Sequence, residues 1–208
     1  MERIIIIGGG GHARVLINMV NLSAEFEIIG ILDPHLDVGI KISGVPVLGN
    51  DDLLEELYKK GIKHACIAIG STRDNSKRKM LYEIVKQIGF SVPSFTHPQA
   101  IISKDVKISE GVQIMAGAIM QPGSLVEENA IVNTGSIVEH DCIVGQHVHI
   151  CPGVVISGGC EIQGGTFIGS GATVIHGIKI GENATVAAGS VVVKDVPAGS
   201  QVMGVPAK

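Results

Sequence analysis

From residue 102 onward the chain places an aliphatic side chain at every sixth position, without a gap. The series runs Ile102, Ile108, Ile114, Met120, Val126, Val132, Val138, Val144, Ile150, Ile156, Ile162, Ile168, Val174, Ile180, Val186 and Val192. Two positions earlier stand mostly small or β-branched residues, such as Ala118, Ser124, Ala130, Cys142 and Thr166. Three positions later stand mainly Gly or Asn, with Asp105, Asp141, His147 and Asp195 among the exceptions. A fixed hexapeptide period predicts a parallel β-helix. Each short strand points one aliphatic side chain inward, and Gly or Asn takes the turn conformation that other residues resist. Three strands close one triangular coil, and residues 100–196 fill about five coils.

Composition agrees with a narrow three-sided interior. Gly makes up 28 of 208 residues, aromatics are 3%, and Phe167 is the only Phe, Tyr or Trp beyond position 98. Hydrophobic residues at 45% and charged residues at 17% exclude a disordered chain. Net charge is −4 with no basic stripe, so no nucleic-acid partner is expected. The apolar start Ile4–Ile7 is too short for a signal segment or a membrane span, which predicts a cytoplasmic protein without membrane insertion. Cys66, Cys142, Cys151 and Cys160 show neither a CxxC pair nor zinc-type spacing and are expected as reduced thiols. Cys142 and Cys160 should stack in the core, whereas Cys151 faces outward. No coil brings two histidines one coil apart with a third ligand, so no metal is required.

The amino-terminal part reads differently. Apolar runs at 3–7, 27–32 and 64–69 alternate with helical patterns at 14–22, 51–60 and 75–89, with Asp51 as an expected N-cap. This predicts a small open parallel α/β sheet, Rossmann-like, over residues 1–96. Ligands of such sheets bind beyond the carboxyl ends of the strands. Three turns lie there: Gly8–His12, Asp33-Pro34 and Gly70–Thr72. Gly8, Gly10 and Ala13 fit G-x-G-x-x-A, and Asp33 follows twenty residues after Ala13, where a ribose-binding acid is expected. The pattern suits a nucleotide ligand without separating NAD from a nucleotide-sugar, and a tight turn without a ligand is its structural counterpart.

Several segments carry a resemblance to a known family. They are Ile5-Ile6-Ile7-Gly8-Gly9-Gly10-Gly11-His12-Ala13, Ile67-Ala68-Ile69-Gly70, His97-Pro98, the run from Asn133 to Cys142, and Gly204-Val205-Pro206-Ala207-Lys208. Together they resemble the hexapeptide-repeat sugar acetyltransferases that include sialic-acid O-acetyltransferases and bacillosamine-pathway UDP-amino-sugar N-acetyltransferases. The resemblance implies a left-handed β-helix over residues 97–208, against the usual right-handed crossover. It implies an acetyl-CoA-dependent N-acetyltransferase acting on a UDP- or GDP-linked amino sugar for surface glycans. It also implies a homotrimer with its active sites between neighbouring β-helices.

The same resemblance assigns roles residue by residue. His140 becomes the general base and Asp141 its partner, since a ring of near-neutral basicity can take the proton of an incoming amine. A solvated turn histidine is the plain alternative. Gly8, Gly9, Gly10, Gly11, His12, Asp33, Gly70 and Asn133 are expected to bind the sugar substrate. His149, Ser170, Gly171, Ala188 and Gly189 are expected to bind acetyl-CoA. His149 lies half a coil from His140, so the two would meet only across a subunit interface. His176 lies two coils from His140 on the same edge, where it either lines the CoA cleft or is an exposed turn residue. His147 has no matched role. O-acetylation of a sialic acid and a non-catalytic nucleotide or NAD sensor are the competing readings.

Overall fold

The computed structural model describes residues 1–71 and 73–208. The chain separates into two compact units, Met1–Gly70 with Lys77–Phe95, and Ser71–Ser76 with Thr96–Lys208. Thr72, part of one expected turn, lies outside the described residues.

The first unit is a five-stranded sheet. Its strands are β1 (Glu2–Ile7), β2 (Phe26–Leu32), β3 (Lys41–Ile42), β4 (Val45–Gly49) and β5 (His64–Ile67), in the spatial order β3-β4-β2-β1-β5. Ile4, Ile5, Ile6 and Ile7 are all buried, because a central strand covered on both faces needs a continuous apolar run. Helix α1 (Gly11–Ser23) buries Ala13, Leu16, Ile17, Met19 and Val20, one stripe at helical spacing. The sheet is mixed rather than wholly parallel, since β3 runs antiparallel to β4. Ser43 (φ 48°) and Gly44 (φ 88°) make the two-residue turn that twists this hairpin correctly. The run at 64–69 leaves the sheet after Ile67. Asn50, not Asp51, caps the next element: its side chain accepts the Asp52 N–H at 3.2 Å. A 3-10 turn (Asp51–Leu53) leads into α2 (Leu54–Lys59), and α3 covers Ser76–Ile88.

The second unit is the β-helix. Two-residue strands recur every six residues from Ile101–Ile102 to Val191–Val192. With Phe95–Thr96 and Gln201–Val202 they form three parallel sheets of six, five and seven strands. Each strand pairs with the strand eighteen residues on: Ile119 with Ile137, Leu125 with Ile143, Ile131 with His149. The aliphatic series points inward and is fully buried from Ile114 through Val186, with Ile150, Ile162 and Val174 at 0% exposure. The first coil is looser, with Ile108 at 38%. Corner glycines take left-handed backbone, as at Gly117 (φ 69°) and Gly135 (φ 65°). Asn129, Asp141, His147 and Asn183 take the same conformation at equivalent corners, with φ between 55° and 60°. Cys142 and Cys160 are buried one coil apart; their thiols donate to the Ser157 carbonyl at 3.3 Å and the Ile175 carbonyl at 3.1 Å. All four cysteines are free and buried, Cys151 included, although it faces outward from the coil.

Candidate functional site

His140 and Asp141 sit at one corner, between the strands Ile137–Val138 and Ile143–Val144. The ring Nδ1 lies 2.9 Å from Asp141 Oδ2. A carboxylate there favours a proton on Nδ1 and leaves Nε2 as the acceptor. Both side chains are open to solvent, at 54% and 73% exposure, so a ligand can reach them. Asp141 holds φ 57°, a conformation that costs a side-chain-bearing residue on the order of 1 kcal/mol and that most corners give to glycine.

Two glycines make room for this pair. Gly123 lies one coil before Asp141, and a Cβ on it would overlap the Asp141 carboxylate. Gly158 lies one coil after His140, and its Cβ would stand 2.5 Å from Nε2 and 2.6 Å from Cε1. The imidazole therefore rests on the Gly158 backbone. His176, a coil further, brings its ring centroid to 6.4 Å from that of His140, tilted by 42°. It is exposed on the same edge.

A second feature of this unit is a cleft of about 460 Å³ on another face. Asn133, His149, Cys151, Phe167, Ser170 and Ala188 line it, together with Ser71 and Arg73 from the segment before α3. His149 is only 4% exposed. Its Nδ1 lies 2.7 Å from Ser71 Oγ, its Nε2 lies 3.2 Å from Asn133 Nδ2, and Phe167 meets its ring edge-on at 5.5 Å. Facing out of the coil thus does not make His149 solvent-exposed. Phe167 also faces out of the prism and supplies a wall of the cleft. Burial pushes the Cys151 thiol up to about 12, with a Ser170 hydrogen bond acting in the opposite direction. That thiol stays protonated at neutral pH.

The expected donor-binding residues divide accordingly. His149, Ser170 and Ala188 line the cleft, and Asn133, expected to bind sugar, joins them. Gly171 and Gly189 are corner residues with φ 67° and do not line it. Backbone approach is close here: a Cβ on Gly169 would stand 2.5 Å from Ala188 N. His140 is not part of the cleft wall. His147 is buried, with Nδ1 2.9 Å from Asn129 Nδ2 one coil away, which makes it a rung of the corner.

In the first unit, Gly8 has φ 99° and donates its N–H to the Leu32 carbonyl at 2.8 Å. Gly10 is the N-cap of α1, without a capping side chain. Gly10 and Gly11 face open space, so a phosphate could approach their backbone. Asp33 Oδ2 accepts the Gly9 N–H at 2.8 Å and Oδ1 accepts the His35 N–H at 2.8 Å. One carboxylate oxygen thus holds the glycine loop and the other holds the acid's own turn. Gly70 packs on His12, whose Cβ would lie 3.6 Å from a Cβ at that glycine. Among the described residues no group of three or more His, Cys, Asp or Glu could hold a metal.

Sequence reasoning missed Gly158, Arg73 and Asn75, whose Oδ1 accepts the Ser71 hydroxyl, and named Ser71 only as part of the Gly70–Thr72 turn. Gly158 carries a visible signal, a second glycine beside the corner Gly159, one coil above the candidate base. Ser71 and Asn75 lie outside the repeat and carry no such signal.

Comparison with known proteins follows the same division. The PglD N-terminal domain matches residues 3–85, and the bacterial transferase hexapeptide (six repeats) matches residues 159–194. A perosamine N-acetyltransferase from Caulobacter crescentus, solved with CoA and GDP-perosamine, superposes with a TM-score of 0.93 at 38% identity. The match covers 100% of this chain and 96% of that one. The chain belongs to the hexapeptide-repeat sugar acetyltransferase family. As a member of that family it is an acyltransferase, and its β-helix is left-handed. The acetyltransferase domain of PglB from Neisseria gonorrhoeae gives a TM-score of 0.92 at 33% identity, covering 100% of this chain and 99% of that one. The UDP-N-acetylbacillosamine N-acetyltransferase of Bacillus subtilis is 34% identical over 123 residues. That match covers 56% of this chain and spans about half, 52%, of the relative's length.

Proposed function

We propose that this acetyltransferase moves the acetyl group of acetyl-CoA onto the amine of a UDP- or GDP-linked amino sugar used for surface glycans. The observation that carries the reading is the exposed His140–Asp141 pair, with Nδ1 held at 2.9 Å and Nε2 left as an acceptor. The amine nitrogen attacks the thioester carbonyl, and Nε2 takes the proton that the nitrogen sheds. The tetrahedral intermediate then collapses, the C–S bond breaks, and the proton passes to the CoA thiolate. Asp141 stabilises the imidazolium between those steps. No side-chain nucleophile is needed, and the buried Cys151 thiol is a poor one.

In this reading residues 97–208 perform the transfer and residues 1–96 hold the nucleotide-sugar. Gly8–Gly11 and His12 face its phosphates or sugar, with Asp33 and Gly70 shaping the pocket. Asn133 reaches the sugar, and His149, Ser170 and Ala188 take the acetyl-CoA arm. The base and the cleft lie on different faces of one β-helix, which supports a homotrimer in which His140 of one subunit serves the cleft of the next. A cytoplasmic site of action accords with the acetyl-CoA donor, and among the described residues no helix is long and apolar enough to cross a membrane.

The test is acetyl-CoA turnover across UDP- and GDP-linked amino sugars, with free sialic acid and NAD as controls. Rapid turnover of a nucleotide-linked amine is the expected result. Turnover of sialic acid alone, or thermal stabilisation by NAD alone, overturns the assignment. Sedimentation of the intact chain as a monomer at working concentration overturns the trimer.

A further inference from the structure

We propose that Ser71 and Asn75 are positioning residues that lock His149 into its Nδ1–H tautomer and so aim the Asn133 amide in the cleft. The proposal rests on the acetyl-CoA reading of that cleft only for the identity of the ligand.

The hydrogen bonds run in one direction. Asn133 Oδ1 accepts the Thr134 N–H at 2.8 Å, which turns Nδ2 toward the histidine ring. An amide nitrogen only donates, so His149 Nε2, 3.2 Å away, accepts. A neutral imidazole that accepts at Nε2 carries its proton on Nδ1. That N–H donates to Ser71 Oγ at 2.7 Å. The Ser71 hydroxyl in turn donates to Asn75 Oδ1. Asn75 Nδ2 ends the chain by donating to the carbonyls of Gly165 and Thr166, each at 3.0 Å. Those carbonyls belong to a corner of the β-helix, so the series is anchored on backbone at both ends.

Burial makes the order matter. Asn75 is 3% exposed and His149 4%, so water cannot freely replace a lost partner. If the proton moved to Nε2, that N–H would face the Asn133 amide donor at 3.2 Å. The amide would have to turn, surrendering its bond from Thr134. The relay uses one N–H of the Asn133 amide and leaves its second for a ligand in the cleft. Among the described residues, the Ser71 hydroxyl joins the two halves of this series.

The test uses the intact, unliganded protein labelled with 15N-histidine. Long-range 15N–1H spectra report which ring nitrogen of His149 is protonated, and a His149→Gln variant assigns the signals. Calorimetry with acetyl-CoA runs in parallel on wild type, Ser71→Ala and Ser71→Thr. We expect Nδ1–H in wild type and Ser71→Thr. Ser71→Ala leaves the Nδ1–H without its Ser71 acceptor, so the Nε2–H fraction should rise at the expense of the Asn133 contact and acetyl-CoA should bind about tenfold more weakly. An Nε2–H ring in wild type overturns the proposal. So does an unchanged tautomer in Ser71→Ala, or a changed tautomer with unchanged affinity. If wild type binds no acetyl-CoA, the donor reading fails, and the spectra alone decide the tautomer lock.

Discussion

Adding one methyl group at Gly158 should disable acetyl transfer while leaving the protein folded. An ideal Cβ at this position stands 2.5 Å from His140 Nε2, 2.6 Å from Cε1 and 3.0 Å from Cδ2. Non-bonded heavy atoms settle at about 3.5–4.0 Å, so the ring must retreat by about 1 Å. Gly158 does not hold a left-handed φ, and alanine there meets no backbone strain. The side chain that must move is 54% exposed, so it can swing into solvent at little cost to stability. It cannot do so and keep its 2.9 Å contact with Asp141. A misplacement of about 1 Å in a reacting group costs on the order of 100-fold in rate, which is ~2.7 kcal/mol of barrier at 1.36 kcal/mol per tenfold. Gly164→Ala is the matched control, at the same position of the repeat on another corner. Its new Cβ would meet the Gln146 Cγ at 3.2 Å and the Gln146 carbonyl oxygen at 3.3 Å, contacts that a shift of a few tenths of an ångström relieves. Steady-state release of the CoA thiol, with thermal melting of each variant, reads the outcome. We expect Gly158→Ala to lose about 100-fold in kcat at a near-wild-type Tm, and Gly164→Ala to stay within about twofold. Wild-type turnover in Gly158→Ala, or a loss that merely tracks unfolding, would refute the argument that this glycine seats the base.

Three further outcomes follow from other parts of the molecule. His140→Ala should lower turnover by at least about 100-fold, and near-normal turnover in that variant removes His140 from the mechanism. Asp33→Ala takes away the acceptor of the Gly9 N–H at 2.8 Å. Nucleotide-sugar affinity measured by calorimetry should fall about tenfold while acetyl-CoA affinity holds, and equal losses for both would contradict a role confined to the glycine loop. Burial raises the Cys66 thiol from 9.0 to about 12. Above pH 9 the unfolded chain loses this proton while the native state keeps it. Stability therefore falls between about pH 9 and 12, by roughly 1.4 kcal/mol per pH unit for one such group. Urea unfolding across that range should give a shallower decline for Cys66→Ala than for wild type, and parallel slopes would contradict the assignment.

The β-helix was legible because its physics is local and repeated. One aliphatic residue faces a narrow interior every six residues, and the corner needs left-handed backbone three residues later. The first unit was legible only where strands are central. The Ile4–Ile7 run announces a strand buried on both faces, but the hairpin of β3 and β4 is short and half-exposed, so apolar periodicity carries little of it. The cap moved from Asp51 to Asn50 because either residue type can accept a first-turn N–H. The cleft was legible only in part. Ser170 and Ala188 were expected through the family resemblance alone, whereas Ser71 lies in a turn and Asn75 at the start of the helical pattern at 75–89, both outside the repeat. Long-range hydrogen bonds between a non-repeating segment and a repeat leave no mark in either pattern.

Departures from a repeat carry its information, yet a departure alone does not name its purpose. Asp141 and His147 both hold left-handed backbone at corners where glycine is usual, with φ 57° and 60°. Both replace glycine at similar conformational cost. Their partners separate them. His147 is 5% exposed and meets Asn129, another corner residue, at 2.9 Å, so its side chain joins one coil to the next. The Asp141 carboxylate reaches sideways to the ring of its own neighbour, His140, and both are exposed. Glycines one coil before and one coil after vacate the space that the pair occupies. At the Asn129–His147 corner the two side chains instead turn toward each other and are buried. At His140 and Asp141 the side chains lie over Gly158 on one flanking coil and Gly123 on the other, in contact with each other and with solvent. That arrangement marks the second corner as a place for chemistry, and it explains why a methyl group added at Gly158 should displace the base.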